Sequence, residues 1–266
     1  HRFSARSLPY LLPVLPLNLD SGHTEAFIRV ENSGAVALHF SVMTEAQLRR
    51  ESQIFHLLFG CVFGLLGLSL IMSLAHWFWT REALFGWYAL FALCTLTASL
   101  TSQGYMSAFI VPDNPGLVVK LDMILFPMLS ASSIPFSNVL LRLNQESPKL
   151  HRIGIFLALL LTFSFFFSIS QWGYLAVDAS LVAYLLYATF STIVSLNRAY
   201  LNPSLPNLSI SLIYLGFTTG IGLTALMFFG VLPATPWTMN SWLAGTLMMI
   251  VLMLIVVAMG ALRMAV

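Results

Sequence analysis

Charge is what this chain has least of. Only 8% of its 266 residues are Asp, Glu, Lys or Arg, while 58% are hydrophobic. A soluble domain carries about a quarter charged residues, so a soluble globular protein is excluded. The formal net charge of +2 is small and dispersed, which removes nucleic acid as a partner. Cysteine is nearly absent. Cys61 and Cys94 both lie in apolar runs and read as buried thiols, with neither metal spacing nor a disulfide framework. Catalytic motifs are missing too: there is no H-E-x-x-H and no G-x-S-x-G. Polar side chains are too few to gather acids, bases, nucleophiles or metal ligands at one depth. We therefore expect no catalytic residue, metal or cofactor in this chain. The last apolar run lacks the lysine that a retinal-type light pump needs. The start shows no charged segment followed by a short apolar core and a small-residue cleavage site. Because the residues before the first apolar run nevertheless read as folded polar structure, the expectation is an excerpt of a longer protein, with the export signal and more of its first domain upstream.

What is abundant is long apolar sequence. A membrane helix needs roughly 20 apolar residues to cross about 30 Å of hydrocarbon. Seven stretches qualify: 54–79, 83–103, 117–141, 153–172, 174–196, 208–231 and 239–262. The breaks carry charge or turn chemistry: "TRE" (80–82), "VPDNPG" (111–116), "LLRLNQESPKLHRIG" (140–154), "QWGYL" (171–175), "NPSLPN" (202–207) and "PATPW" (233–237). Aromatic side chains gather near the ends, as amphipathic rings do at headgroup level: Trp77, Trp79, Trp87, Tyr88, Tyr105, Trp172, Tyr174, Tyr200 and Trp237. Spans four and five are divided by only a few residues. Fusing them would make one 44-residue helix, far longer than a bilayer is thick.

Basic residues assign the sides. Arg81, then Arg142, Lys149 and Arg152, then Arg198 and finally Arg263 fall in alternate loops and the tail, whereas the loops between them contain no Lys or Arg. By the positive-inside rule the N-terminus is outside and the C-terminus cytoplasmic. Arg49 and Arg50 precede the first span on the exported side, but they belong to a longer segment, and long domains cross largely regardless of charge.

Before the membrane, "TEAFIRVE" (24–31) and "AVALHFSVM" (35–43) alternate with period two around "NSG", a β-hairpin signal. The proline-punctuated "LPYLLPVLPLNL" (8–19) reads as an edge strand or extended arm. So short a segment cannot form a stable core alone, and it is expected to be the end of an exported β-sandwich. Thr44 and Gln47 form a T-x-x-Q capping box that opens a helix leading into span one. The expected fold is thus an all-α membrane protein, a seven-transmembrane helix bundle preceded by a partial extracytoplasmic β-sandwich. The sandwich portion occupies 1–45, a helical linker 46–53 and the membrane domain 54–266.

Three charges lie inside the outer ends of spans: Lys120 and Asp122 in "VKLDMIL", and Asp178. Residues two apart on a helix do not face each other, so Lys120 and Asp122 are not a simple pair. Either these residues line an outer ligand vestibule, Lys120 with Asp178 or Asp122 toward water, or they are shallow enough to snorkel to the surface. Pro127 and Pro135 in "PMLSASSIPFSN" each remove a backbone donor, and are read either as hinges or as ordinary tolerated prolines. Gly60-x-x-x-Gly64 and Gly216-x-x-x-Gly220 permit close helix approach, read as internal packing ahead of the seam of a homodimer. His56 and His76 stand at opposite ends of span one, about 30 Å apart, and cannot share a metal.

The chain resembles the bacterial seven-transmembrane receptors with diverse intracellular signalling modules. The likeness rests on the hairpin "EAFIRVENSGAVALHFSVM", a short linker and the glycine-bearing "FGCVFGLLGLSLIMSLAHWFW". It continues through the "TRE" turn before "FGWYALFALC" and the glycine closing span two in "SQGY". The resemblance implies a bacterial inner-membrane sensor whose exported domain binds a small molecule or carbohydrate. It also implies a cytoplasmic output domain in cis, a diguanylate cyclase ahead of a histidine kinase. The competing reading is a secondary transporter or channel-like protein. Transporters commonly show repeats and midplane polar groups. Here no repeat is visible, the span count is odd and the charges sit near one edge.

Overall fold

Thr44 opens the first helix as its spacing predicts. In the computed structural model its hydroxyl accepts the Gln47 N–H at 3.3 Å, while the Gln47 side chain accepts the Thr44 N–H at 3.0 Å, a complete capping box. The structure describes residues 10–11, 14–17, 40–168, 170 and 173–264. The hairpin expected over 24–43 and much of the arm over 8–19 lie outside those residues; Phe40–Met43, the end of the second expected strand, are irregular.

Helix α1 runs without a break over Glu45–Thr80, so the stretch read as a linker is the first turns of the membrane helix. Its 36 residues reach about 54 Å, well beyond the hydrocarbon layer. The surplus carries Glu45, Arg49, Arg50 and Glu51, with Glu45 and Arg49 paired at 2.8 Å across one turn. Arg81 stops α1 in the left-handed conformation (φ 58), its N–H on the Trp77 carbonyl and its guanidinium 5.5 Å from the Trp77 ring centre. The remaining helices are α2 (Ala83–Ser102), α3 (Pro115–Leu140), the single turn α4 (Leu143–Glu146), α5 (Pro148–Ser168), α6 (Gly173–Leu201), α7 (Leu205–Phe228) and α8 (Pro236–Met264). A short π-helical turn, Met106–Ile110, follows α2.

Among the described residues, seven helices are long and apolar enough to cross a membrane, α4 alone being too short. Their starts carry expected chemistry. Asn114 caps α3 by accepting the Leu117 N–H at 3.1 Å, ahead of Pro115, whose fixed φ suits a first helical position. Thr235 and Thr238 exchange side-chain-to-backbone hydrogen bonds of 2.9 and 3.2 Å at the entry to α8. The division between α5 and α6 also stands, and Gly173 makes it possible. A Cβ there would approach the Ser168 carbonyl oxygen to 2.7 Å.

The helices form a closed ring: α1 packs on α2 and α8, then α2 on α3, α3 on α5, α5 on α6, α6 on α7 and α7 on α8. A further contact of α3 with α6 closes the interior. Phe91 and Phe136 stack at 5.8 Å in the centre, and Phe217 meets both Phe91 and Tyr184 edge-on. The rest of the apolar surface faces outward. Half of the most apolar stretch of α7 is buried against only 17% for α5, the distribution expected when lipid solvates the outer faces.

Two glycine motifs part company here. A Cβ at Gly216 would press on the Met248 sulfur, one at Gly220 would run into the Ser241 carbonyl, and Gly245 of α8 faces the Phe217 backbone in turn. Those glycines bring α7 and α8 into close contact, as read from the sequence. Gly60, Gly64 and Gly67 have nothing within reach of a Cβ, so the α1 motif is not an internal packing site. Cys61 beside it is exposed, correcting its reading as a buried thiol, whereas Cys94 is buried.

Candidate functional site

Alternation of the helices creates two polar ends, called here the Thr44 rim and the Thr80 rim after the ends of α1. Lys120, Asp122 and Asp178 lie at the Thr44 rim and are all exposed, a placement that lets a charge reach the headgroup layer. The ion pairs among the described residues are Arg49–Glu45 and Arg198–Glu146, and none of the three candidates joins one. Pro127 and Pro135 lie inside α3, which continues through both. Each leaves a carbonyl without its helical donor, at Met123 and Ala131 respectively.

The Thr44 rim is organised by residues of other kinds. His56 of α1 and the Tyr105 hydroxyl are 2.9 Å apart, and Tyr105 sets its ring edge-on to Phe63. The Gln103 amide donates to the Asn240 side-chain oxygen at 2.7 Å, tying the end of α2 to the start of α8. Between them Gly104 takes φ +83, a conformation L side chains rarely adopt. Leu11, 8% exposed, rests on this glycine; a Cβ there would come within 3.2 Å of the Leu11 carbonyl oxygen. Tyr10 lies beside Arg49. The extended arm before the membrane thus touches both α1 and the turn after α2.

Hydroxyl groups lace the interior. Ser69 of α1 bonds the Tyr88 hydroxyl of α2. Tyr88 is fully buried, so it is not part of the headgroup-level aromatic belt in which its sequence position placed it. Thr192 and Thr218 meet at 2.7 Å, and Ser211 reaches the Ser195 carbonyl at 2.7 Å, both joining α6 to α7. Thr224 and Ser241 meet at 2.9 Å between α7 and α8. Such bonds hold membrane helices together because lipid offers no competing donor or acceptor.

At the Thr80 rim, Arg198 near the end of α6 pairs with Glu146 of α4 at 3.1 Å, with both side chains about one-third exposed or less. The pair borders a cleft of about 530 Å³ lined also by Ser147, Val194, Asn197 and Asn202. Arg142, in the left-handed region at φ 50, turns the chain from α3 into α4 and so presents Glu146 to α6.

The 7TM diverse intracellular signalling family matches residues 55–260. The chain belongs to this family. No curated protein and no solved structure matches it. As a 7TM diverse intracellular signalling domain it is a multi-pass membrane protein with a sensory role, built from the seven membrane helices described above.

Some parts of this signalling domain were not visible from its sequence. Arg198 was informative only as a loop charge, and nothing in the spacing of Glu146 and Arg198, 52 positions apart, names them as partners. Tyr184 and Tyr187 carried a usable signal. Two phenols in mid-span, far from either headgroup layer, need partners inside the bundle. Tyr187 has one, donating to the Asn138 side-chain oxygen at 2.7 Å.

Proposed function

We propose that the chain is the membrane relay of a receptor, with the Thr44 rim outside the cell and the Thr80 rim in the cytoplasm. A small molecule or carbohydrate bound by the exported region shifts the bundle between two helix arrangements. The shift passes to an output domain continuing from α8, a diguanylate cyclase ahead of a histidine kinase. The observation that carries this reading is the seat of Leu11 on Gly104, a contact between the pre-membrane arm and the bundle itself. A ligand moves such an equilibrium only through its differential affinity for the two states, so the arm has to contact the bundle differently in each. Orientation follows from the one-sided distribution of Arg81, Arg142, Lys149, Arg152, Arg198 and Arg263.

Lys120, Asp122 and Asp178 are assigned to an outer vestibule at the same rim, and Pro127 and Pro135 to a hinge in α3. In a Lys120→Ala and Asp178→Ala double-mutant cycle on ligand binding, strictly additive effects would remove the coupling. The open glycine face of α1 is assigned to a second copy of the chain.

The deciding experiment uses the full-length receptor in membranes, with cyclic-dinucleotide synthesis or autophosphorylation as readout. Leu11→Ala is expected to abolish the response to ligand while leaving expression and basal output in place. An undiminished response in Leu11→Ala would sink the relay. A periplasm-active reporter fused at Val266 checks the orientation separately and is expected to stay silent.

A further inference from the structure

Three consecutive residues after α2 reach three different parts of the molecule. The Gln103 amide donates to the Asn240 side-chain oxygen of α8 at 2.7 Å, Leu11 of the arm rests on Gly104, and the Tyr105 hydroxyl meets His56 of α1 at 2.9 Å. Gly104 makes this divergence possible, since its φ of +83 turns the chain sharply between the two side chains and its missing Cβ admits the Leu11 carbonyl. The turn is tied into one piece. Its Gly104 N–H donates to the Thr101 carbonyl at 3.1 Å, and the Gly104 carbonyl accepts the Ala108 N–H at 3.0 Å and the Ser107 hydroxyl at 2.8 Å. The bond from Gln103 reaches past a neighbour, because α1 packs on both α2 and α8 and stands between them in the ring. At its far end the Asn240 side chain also donates to the Pro236 carbonyl at 2.8 Å, which fastens the bond to the first turn of α8.

We infer that, within the relay reading on which this rests, the Gln103–Tyr105 turn is the coupling element, passing a displacement of the arm to α8 through the Gln103–Asn240 bond. Burial makes the linkage stiff. Gln103 is 9% exposed, so if the turn shifts and α8 stays, its amide loses its partner where little water can replace it. Joint movement of the turn and α8 avoids that cost. The His56–Tyr105 bond on the other side of the turn is exposed, and water there substitutes for a partner that moves away. Helix α1 is therefore held to the turn less strictly than α8 is. The outer end of the last helix thus answers to the seat of the arm by a short route, without transmission along the length of α1.

Amide hydrogen exchange of the full-length protein in lipid nanodiscs tests the coupling without any ligand, with Leu11→Ala used to loosen the arm from its seat. Exchange is expected to quicken in the turn, over 103–108, and also at the start of α8, over 240–244, by about fivefold, the factor for weakening one hydrogen bond. In an Asn240→Leu background, where the link is cut, Leu11→Ala is expected to quicken the turn and to add nothing over 240–244. Gln103→Leu cuts the same link from the other side and is expected to behave alike. Equal increments over 240–244 with and without Asn240 would overturn the coupling, since a merely structural bond gives additive effects. A quickened turn beside an unchanged α8 in Leu11→Ala would overturn the coupling alone and leave the relay to act through α1. An unchanged turn would remove the seat of Leu11, and with it both the coupling and the relay reading.

Discussion

Helices α1 and α7 contain the same small-residue motif and use it in opposite ways. In α7, Gly216 and Gly220 let α8 approach until its Met248 and Ser241 occupy the space where side chains would stand. In α1, Gly60 and Gly64 face open space. The difference extends along both helices. The most apolar stretch of α7 is half buried and is bonded through Ser211, Thr218 and Thr224 to α6 and α8. The corresponding stretch of α1 is 22% buried, and the helix supplies much of its own support: the Thr44–Gln47 box, the Glu45–Arg49 pair and the Arg81 cap over Trp77. A glycine pair permits close approach but does not summon a partner; the neighbouring helix decides.

The strongest way to break this contrast is Gly220→Leu. With the Ser241 backbone in the way, α7 and α8 have to separate, and a loss at or above the upper end of the about 1–3 kcal/mol typical of overpacking is expected, read as a large fall in melting temperature in detergent micelles. Thr44→Ala removes the cap on which α1 depends and is expected to cost about 1 kcal/mol, with faster amide exchange confined to its first turns. Ser211→Ala cuts one link from α7 to α6 and should cost roughly 0.6 kcal/mol, the average for such bonds in a membrane bundle. Gly64→Leu should be felt least, within about 0.5 kcal/mol, since nothing stands within 4 Å of the added Cβ. It nevertheless sharpens the comparison. Oxidation of the exposed Cys61 in native membranes is expected to give a cross-linked dimer in the wild type that Gly64→Leu weakens. A wild type that stays monomeric under oxidation removes the second copy from the α1 face.

The span count was legible because crossing hydrocarbon demands length and apolarity, and both are properties of a linear string. The capping box and the α5–α6 break were legible for a similar local reason: Thr44, Gln47 and Gly173 act within their own turns. What faces what was not. Lipid tails are as apolar as a protein core, so the outward face of α5 is as rich in phenylalanine as an inward face would be. Phe156, Phe163 and Phe166 are all more than 60% exposed, and periodicity therefore carries little information about burial. That is why Tyr88 was assigned to the interface and Cys61 to the interior. Lys120, Asp122 and Asp178 lie within about two turns of the starts of α3 and α6, a position that counting along the sequence can give, but the contacts at the same rim, His56–Tyr105 and Gln103–Asn240, join residues 49 and 137 positions apart. Contacts of that range are set by ring closure of the bundle, which no local pattern encodes.

The length of α1 has a mechanical consequence. About 24 Å of its roughly 54 Å exceeds the hydrocarbon thickness, and no glycine or proline interrupts the run from Thr44 to Gly60. That surplus acts as a lever fixed in the bilayer. A tilt of about 10° within the membrane swings the Thr44 end sideways by about 4 Å, close to the diameter of a methyl group. A displacement imposed on the tip is returned to the bundle as a rotation of the same small angle, with no loop in between to absorb it.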